Sequence, residues 1–268
     1  HSITVGDVDG DGRDEIIYGA AAIDDNGKGL YSTRLGHGDA LHLSDLDPER
    51  TGMEVWMVHE SPSNIAGCEF RDAKTGELIW GFPSEGDVGR GLTANIHPNY
   101  PGNECWAFGP GMRGLYSAKG KLISEKSPRT CNFRVYWDGD LQDELLDRNY
   151  VAKYNWEKDS LETLLLANDC RWNNGTKATP VLSADLFGDW REEIIWRTVD
   201  NTALRIYTTT IPSEHRLVTL MHDPVYRLSI AWQNVGYNQP PHTGYYIGDD
   251  MKPAPKPNIF TVKSTSNR

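Results

Sequence analysis

The chain has 268 residues, a formal charge of −11 and a hydrophobic content of 38%, enough to enclose a sizeable core. No basic stripe exists to neutralise phosphates, which argues against nucleic acid as a partner. No apolar run reaches the roughly 18 residues that a membrane-spanning helix needs, so no membrane partner is expected either.

The first twenty residues set a pattern. Asp7-Val8-Asp9-Gly10-Asp11-Gly12 puts carboxylates at alternate positions of a Gly-rich loop, an arrangement in which oxygen ligands can converge on a hard cation. Glu15-Ile16-Ile17-Tyr18 then reads as a strand. With Asp7, Asp9, Asp11 and Glu15 as loop positions one, three, five and nine, the frame recurs four more times. The second copy carries Asp45, Asp47, Glu49 and Glu54 with one residue inserted. The third, Asn95 to Glu104, has Asn95 and His97 where early acids would stand. The fourth has Tyr136 at position one, then Asp138, Asp140 and Glu144, and the fifth has Asp185, Asp189 and Glu193 with Phe187 at position three.

Every copy keeps a glutamate followed by an apolar pair, and the copies begin at 7, 45, 95, 136 and 185. A four-stranded propeller blade repeats at about this period. The predicted class is therefore all-β, a β-propeller with about five to six blades' worth of chain over residues 1–251. Bound divalent cations would cancel much of the loop charge.

Between the loops the elements follow in order. Ile16–Ile23 and Leu30–Leu35 read as a hairpin through Asp24–Gly27. Residues 55–60 form a strand, and Cys68–Asp72 with Leu78–Phe82 a second hairpin. Ala107–Tyr116 leads to a turn at Lys119-Gly120, and Tyr150–Trp156 pairs with Leu161–Ala167. Leu204–Thr209 and Val218–Met221 continue the final copy. Residues 222–250 read as a closing loop with room for a short helix in Asp223–Val235, and 252–268 as a Pro-bearing tail or linker. Cys68, Cys105, Cys131 and Cys170 lack any CxxC spacing, so zinc is not expected; no disulfide is assigned from the sequence, and three of the four are expected as buried thiols. His1 is not an initiator Met, and the expectation is a processed chain or part of a longer one.

In a propeller the strand upstream of each acidic loop is innermost. Residues ahead of those strands then meet at one mouth of the central channel: His37 and Asp39, Arg90, Asn132, and Asn174 to Lys177. Each alone reads as an ordinary solvated loop residue. Together they make a pocket with two cations and several amides, suited to a carboxylated, hydroxyl-rich ligand.

Five stretches, Asp7–Gly19, Gly36-His37-Gly38-Asp39-Ala40, Gly89-Arg90-Gly91-Leu92, Asn174-Gly175-Thr176-Lys177 and Gly236-Tyr237-Asn238-Gln239-Pro240-Pro241, resemble the C-terminal portion of family 11 polysaccharide lyases, the bacterial rhamnogalacturonan lyases. The resemblance implies a secreted, eight-bladed, calcium-loaded propeller, with further blades and substrate contacts upstream. It implies cleavage of rhamnose–galacturonate linkages in the rhamnogalacturonan I backbone of pectin by β-elimination, leaving unsaturated galacturonate ends. Sugar binding is implied for Asn174, Gly175 and Thr176, stacking for Tyr237, and catalytic roles for Lys177 and Arg90. Calcium, Ca2+, is expected at several mostly structural sites, with candidate ligands Asp7, Asp9, Asp11 and Glu15; Asp45, Asp47 and Glu54; Asp138, Asp140 and Glu144; Asp185, Asp189 and Glu193; and His37 with Asp39.

Fixed cations near a galacturonate carboxylate would stabilise the charge that builds when the C5 proton leaves. A lysine or arginine acting as the base needs a depressed pKa, and the residues leave Lys177 as either base or carboxylate neutraliser. The alternative reading is a calcium-stabilised propeller that binds carbohydrate or mediates adhesion without catalysis. It accounts for the acidic loops but not for the Asn-Gly-Thr-Lys and Gly-Tyr-Asn-Gln-Pro-Pro segments. Five repeats cover only part of eight blades, and open blade edges invite aggregation, so the natural protein is expected to continue upstream or to be complemented by another piece.

Overall fold

The computed structural model describes residues 2–257 and 259. Residues 252–257 have no regular structure; apart from 259, the rest of the expected tail lies outside the described residues, as does His1.

Among the described residues, twenty strands form five antiparallel sheets of four, one for each acidic repeat. The first contains β1 (Ile3–Gly6), β2 (Glu15–Tyr18), β3 (Ala21–Ile23) and β4 (Gly29–Ser32). The second contains β5 (Ala40–Ser44), β6 (Glu54–Val58), β7 (Ser63–Asp72) and β8 (Leu78–Ser84). The third contains β9 (Arg90–Ala94), β10 (Glu104–Phe108), β11 (Leu115–Tyr116) and β12 (Leu122–Ser124), and the fourth β13 (Phe133–Val135), β14 (Glu144–Asp147), β15 (Tyr150–Asn155) and β16 (Ser160–Leu166). These four sheets are meanders in chain order. The all-β expectation holds, with one short α-helix. Ile16–Ile23 is not one strand, because the chain turns at Gly19, whose φ of 56° lies in the left-handed region glycine tolerates.

The fifth sheet departs from the meander. It contains β17 (Cys170–Arg171), β18 (Leu182–Ala184), β19 (Glu193–Thr198) and β20 (Leu204–Tyr207). Arg171 faces Arg197 and Leu182 faces Ile195, so β17 and β18 are two halves of one edge strand. Residues 172–181 leave that strand as an excursion and return to it. An isolated bridge between Asn173 and Thr179 closes the neck of the excursion.

Each acidic loop leads into the strand that begins with the repeated glutamate, and that glutamate explains the loop's shape. Oε2 of Glu15 accepts from the backbone N–H of Val8 and Asp9 at 2.9 and 3.4 Å. Glu54 does the same for Leu46 and Asp47, Glu144 for Trp137 and Asp138, and Glu193 for Leu186 and Phe187. Glu104 accepts from Ile96 at 2.9 Å. All five side chains are buried, so the carboxylate supplies partners that buried amides would otherwise lack. The repeat keeps its glutamate first to close the loop.

Apolar clusters lie between consecutive sheets. Ile17 and Ala22 pack on Leu41, Val55 and Met57; Trp56, Val58 and Phe70 pack on Cys105 and Ala107. Leu92 and Trp106 pack on Leu145 and Tyr154; Phe133, Leu146 and Val151 pack on Ile194 and Trp196. Internal sheets are therefore covered on both faces, and every residue of β6 and β14 is buried. The two end sheets are covered on one face only. Tyr18 on the first is 56% exposed, and Leu204 and Ile206 on the fifth are 60% and 55% exposed. All four cysteines are free and buried.

The C-terminal segment ties the arrangement together. Helix α1 (Pro224–Trp232) begins where Asp223 Oδ2 accepts from Tyr226 N at 2.9 Å, with Pro224 in the first turn where its missing N–H costs nothing. It packs against both β1 and β18. The chain beyond it crosses the edge strands of several sheets. Gln239 donates to Ile3 O, Arg134 to Pro241 O, Ser44 to Thr243 O and Asn95 to Ile247 O. The space expected as a channel between the upstream strands is thus occupied by this segment.

Candidate functional site

The residues expected at one mouth are brought together. Asn174, Gly175 and Thr176 are exposed at the tip of the 172–181 excursion, with Lys177 half-buried behind them. Residues 175–177 form a single 3₁₀ turn, and Asn174 and Ala178 on either side have φ of 59° and 52°. Left-handed backbone at a non-glycine residue costs energy and persists only where its surroundings enforce it. Here the neck bridge and a hydrogen bond from Trp172 Nε1 to Gly175 O at 2.8 Å enforce it.

Arg90, the first residue of β9, grips this tip. Its Nη1 donates to Thr176 O and its Nη2 to Thr176 Oγ1, both at 2.9 Å, while Nη1 also donates to Asn132 Oδ1 at 2.6 Å. Asn132 is oriented in turn, since its Nδ2 donates to Asp147 Oδ1 at 2.7 Å and its Oδ1 accepts from Asn238 Nδ2 at 2.8 Å. A planar guanidinium with donors on two adjacent nitrogens is fixed in plane by such a pair of bonds.

Lys177 reaches the other way. Its Nζ donates to Asp39 Oδ2 at 2.8 Å and to Gly89 O at 3.0 Å, and lies 4.4 Å from the centre of the Tyr237 ring, within cation–π range. Asp39 is held in place by backbone fit: a Cβ on Gly38 would stand 1.7 Å from Val58 O, so only glycine passes between His37 and Asp39.

Asp39 also belongs to a second group. Ligand atoms of His37, Asp39 and Glu60 lie within 4.8 Å of one another. The Glu60 carboxyl is raised above its ordinary value, first by its hydrogen bond with Asp39 and next by burial. Two carboxyls in contact require a proton or a cation between them. Glu60 was not found from the sequence. Its signal lies in the β5–β6 register, where Ala40 faces Val58 and the next steps bring Glu60 opposite the His37–Asp39 stretch.

The expected calcium ligands divide. Asp7, Asp9 and Glu15 converge within 4.8 Å, and Glu15 Oε1 is buried with no hydrogen-bond partner; this loop fits a hard cation, though Asp11 stands outside the cluster. Asp138, Asp140 and Glu144 also converge, but Lys153 Nζ is bonded to all three. Among the described residues, Asp45, Asp47 and Glu54 are not gathered into a three-ligand group; Arg50 stands 3.4 Å from Glu54 instead. Nor are Asp185, Asp189 and Glu193. Asp185 accepts from Thr219 Oγ1 and Leu220 N, Asp189 pairs with Arg191, and Glu193 Oε1 accepts from Thr208. Position three in that loop is Phe187, so the acids turn to protein donors.

A cleft of about 530 Å³ lies between the second and third sheets, lined by Trp56, Phe82, Trp106, Met112, Arg113 and Tyr116. Neither Arg90 nor any residue of the 174–177 tip lines it.

Comparison with known proteins gives the family. The family model described as rhamnogalacturonan lyase family 11, C-terminal domain, matches residues 1–257. The chain is 58% identical over 261 residues to the rhamnogalacturonan endolyase YesW of Bacillus subtilis (strain 168), covering 97% of this chain and 42% of that protein. It is 54% identical over 277 aligned positions to the rhamnogalacturonan exolyase YesX of the same organism, covering 98% of this chain and 45% of the relative. The crystal structure of YesW superposes with a TM-score of 0.94 over 98% of this chain and 44% of that one. The chain thus spans less than half the length of the relatives it matches.

Proposed function

The chain belongs to rhamnogalacturonan lyase family 11, and from that premise we propose that it is part of an extracellular lyase cleaving rhamnose–galacturonate linkages of rhamnogalacturonan I by β-elimination. The observation that carries the reading is that Arg90 grips the tip bearing Lys177, with Asn174, Gly175 and Thr176 exposed on that tip and the Tyr237 ring against Lys177. The five sheets, each sharing an apolar cluster with the next, are read as consecutive blades of an eight-bladed propeller. Its other blades would cover the exposed faces at Tyr18 and at Leu204 and Ile206, which support an upstream remainder of the same fold.

The chemistry follows from the groups. Abstraction of the C5 proton of a galacturonate spreads charge onto its carboxylate, and expulsion of the C4 oxygen completes the elimination. In this reading Arg90 and Lys177 bind that carboxylate more strongly as its charge grows. Asn174 and Thr176 offer hydrogen bonds to hydroxyls, and Tyr237 offers a ring face for a pyranose. Lys177 donates to Asp39 in this arrangement, which favours the neutralising role. For it to act as base, Asp39 must be engaged elsewhere. A divalent cation at His37, Asp39 and Glu60 would supply positive charge next to the substrate carboxylate; calcium fits the two carboxylates there and the first acidic loop.

The test is the full-length protein incubated with rhamnogalacturonan I while the absorbance of unsaturated product is followed. Product from the wild type and its loss in Lys177→Ala with polysaccharide binding retained is the expected result. Binding without any product in the wild type would instead indicate a carbohydrate-binding propeller.

A further inference from the structure

The five repeats differ at one position that the acidic motif does not include. In each sheet the second strand, which begins with the repeated glutamate, pairs with the third. Glu54 faces Asp72 directly. Extending the other registers by one step puts Asp24 opposite Glu15, Ser117 opposite Glu104, Lys153 opposite Glu144 and Thr208 opposite Glu193. Since Oε2 of each glutamate closes its own loop, the facing residue is one of the groups placed beside the other oxygen, Oε1.

The outcomes differ from loop to loop. Opposite Asp24, Oε1 of Glu15 is buried without a hydrogen-bond partner among further carboxylates; opposite Asp72, Oε1 of Glu54 has Arg50 Nε 3.4 Å away; opposite Ser117, Oε1 of Glu104 is buried without a hydrogen-bond partner. Opposite Thr208, Oε1 of Glu193 accepts a hydrogen bond at 3.0 Å. Opposite Lys153, Oε1 of Glu144 accepts from the ammonium at 2.7 Å, and the same Nζ stands 2.9 Å from Asp138 and 2.7 Å from Asp140. The ammonium therefore sits where the loop's three ligand oxygens converge. It is mostly enclosed, with 19% of its side chain exposed.

We propose that Lys153 is the resident cation of the fourth acidic loop, which therefore takes no calcium. At the first loop the facing carboxylate leaves an acidic cage for a divalent ion, whereas at the fourth the facing lysine fills the position from within the chain. The absence of an acid at loop position one, where Tyr136 stands and lies buried in an apolar cluster, agrees: an ammonium with three carboxylate partners has no need of a fourth.

The experiment uses the full-length protein, saturated with calcium and then chelated, with hydrogen exchange followed in residues 7–15 and 136–144. With calcium at about 100 times its dissociation constant, a metal-dependent loop opens on the order of 100-fold less often. Residues 7–15 should lose that protection on chelation, and 136–144 should keep theirs. In Lys153→Asp, residues 136–144 should become chelator-sensitive, and elemental analysis should find one more calcium per chain. If Lys153→Asp unfolds without calcium, refolding on calcium addition reports the same gain. Chelator-induced deprotection of 136–144 in the wild type would overturn the proposal. So would Lys153→Asp that takes up no further ion or fails to refold with it.

Discussion

Gly38→Ala tests how tightly the site depends on one backbone contact. The added Cβ would stand 1.7 Å from Val58 O, 2.8 Å from Val58 C and 3.1 Å from His59 Cα, all backbone atoms, whereas ordinary contact begins near 3.4 Å. No side chain can rotate away, so β5 and β6 must part by more than about 1.5 Å at this point, an overpacking cost of about 1–3 kcal/mol. The displaced residues are His37 and Asp39, and Asp39 is the acceptor that positions Lys177. Misplacing a catalytic group by about 1 Å costs on the order of 100-fold in rate. Urea denaturation should therefore register the stability loss, and product absorbance should fall on the order of 100-fold. Gly29→Ala is the control, because nothing lies within 4 Å of its Cβ position. Wild-type stability and turnover in Gly38→Ala would refute the reasoning.

Further outcomes follow from other contacts. Arg90→Lys keeps the charge but loses the two-nitrogen grip on Thr176, and kcat on rhamnogalacturonan should fall about 10- to 100-fold with a stability change under about 1 kcal/mol, measured by steady-state assay and thermal melting. Arg134 is buried between Asp143 and Glu192 at 3.4 and 3.2 Å, so Arg134→Met should cost about 3–5 kcal/mol in urea denaturation by stranding two buried carboxyls. His42 is held by burial at a pKa of about 4, against an ordinary 6.5. Between those values the unfolded chain binds the proton and the folded chain does not. Stability should therefore fall by up to about 3 kcal/mol as pH drops from 6.5 towards 4, and His42→Gln should lose that part of the slope.

Much of the architecture was legible because it is written in local pattern. A glutamate followed by two apolar residues marks the start of each second strand, and five such marks became five sheets. Only room for a short helix was legible in Asp223–Val235, and the helix formed there starts after Asp223, whose side chain caps it. The site residues were reachable because strands upstream of the acidic loops share one surroundings, which brought Arg90 to Thr176 and Lys177 to Asp39. What stayed hidden depends on pairing across strands. Lys153 looks like any surface lysine until the β14–β15 register places it over Glu144. Glu60 joins His37 only through the β5–β6 hairpin. The split of one edge strand into β17 and β18 has no pattern of its own, since Cys170-Arg171 is too short to read as a strand. The crossing of Asn238–Thr243 over the other sheets rests on single hydrogen bonds spanning more than a hundred residues.

The most direct measurement is a crystal structure of the full-length protein with a saturated galacturonate-containing oligosaccharide. The account predicts a uronate carboxylate about 3 Å from Arg90 or Lys177, with the sugar against Tyr237 and hydrogen-bonded to the 174–176 tip. An oligosaccharide seated in the cleft lined by Trp56, Trp106 and Tyr116, with that tip untouched, would contradict it.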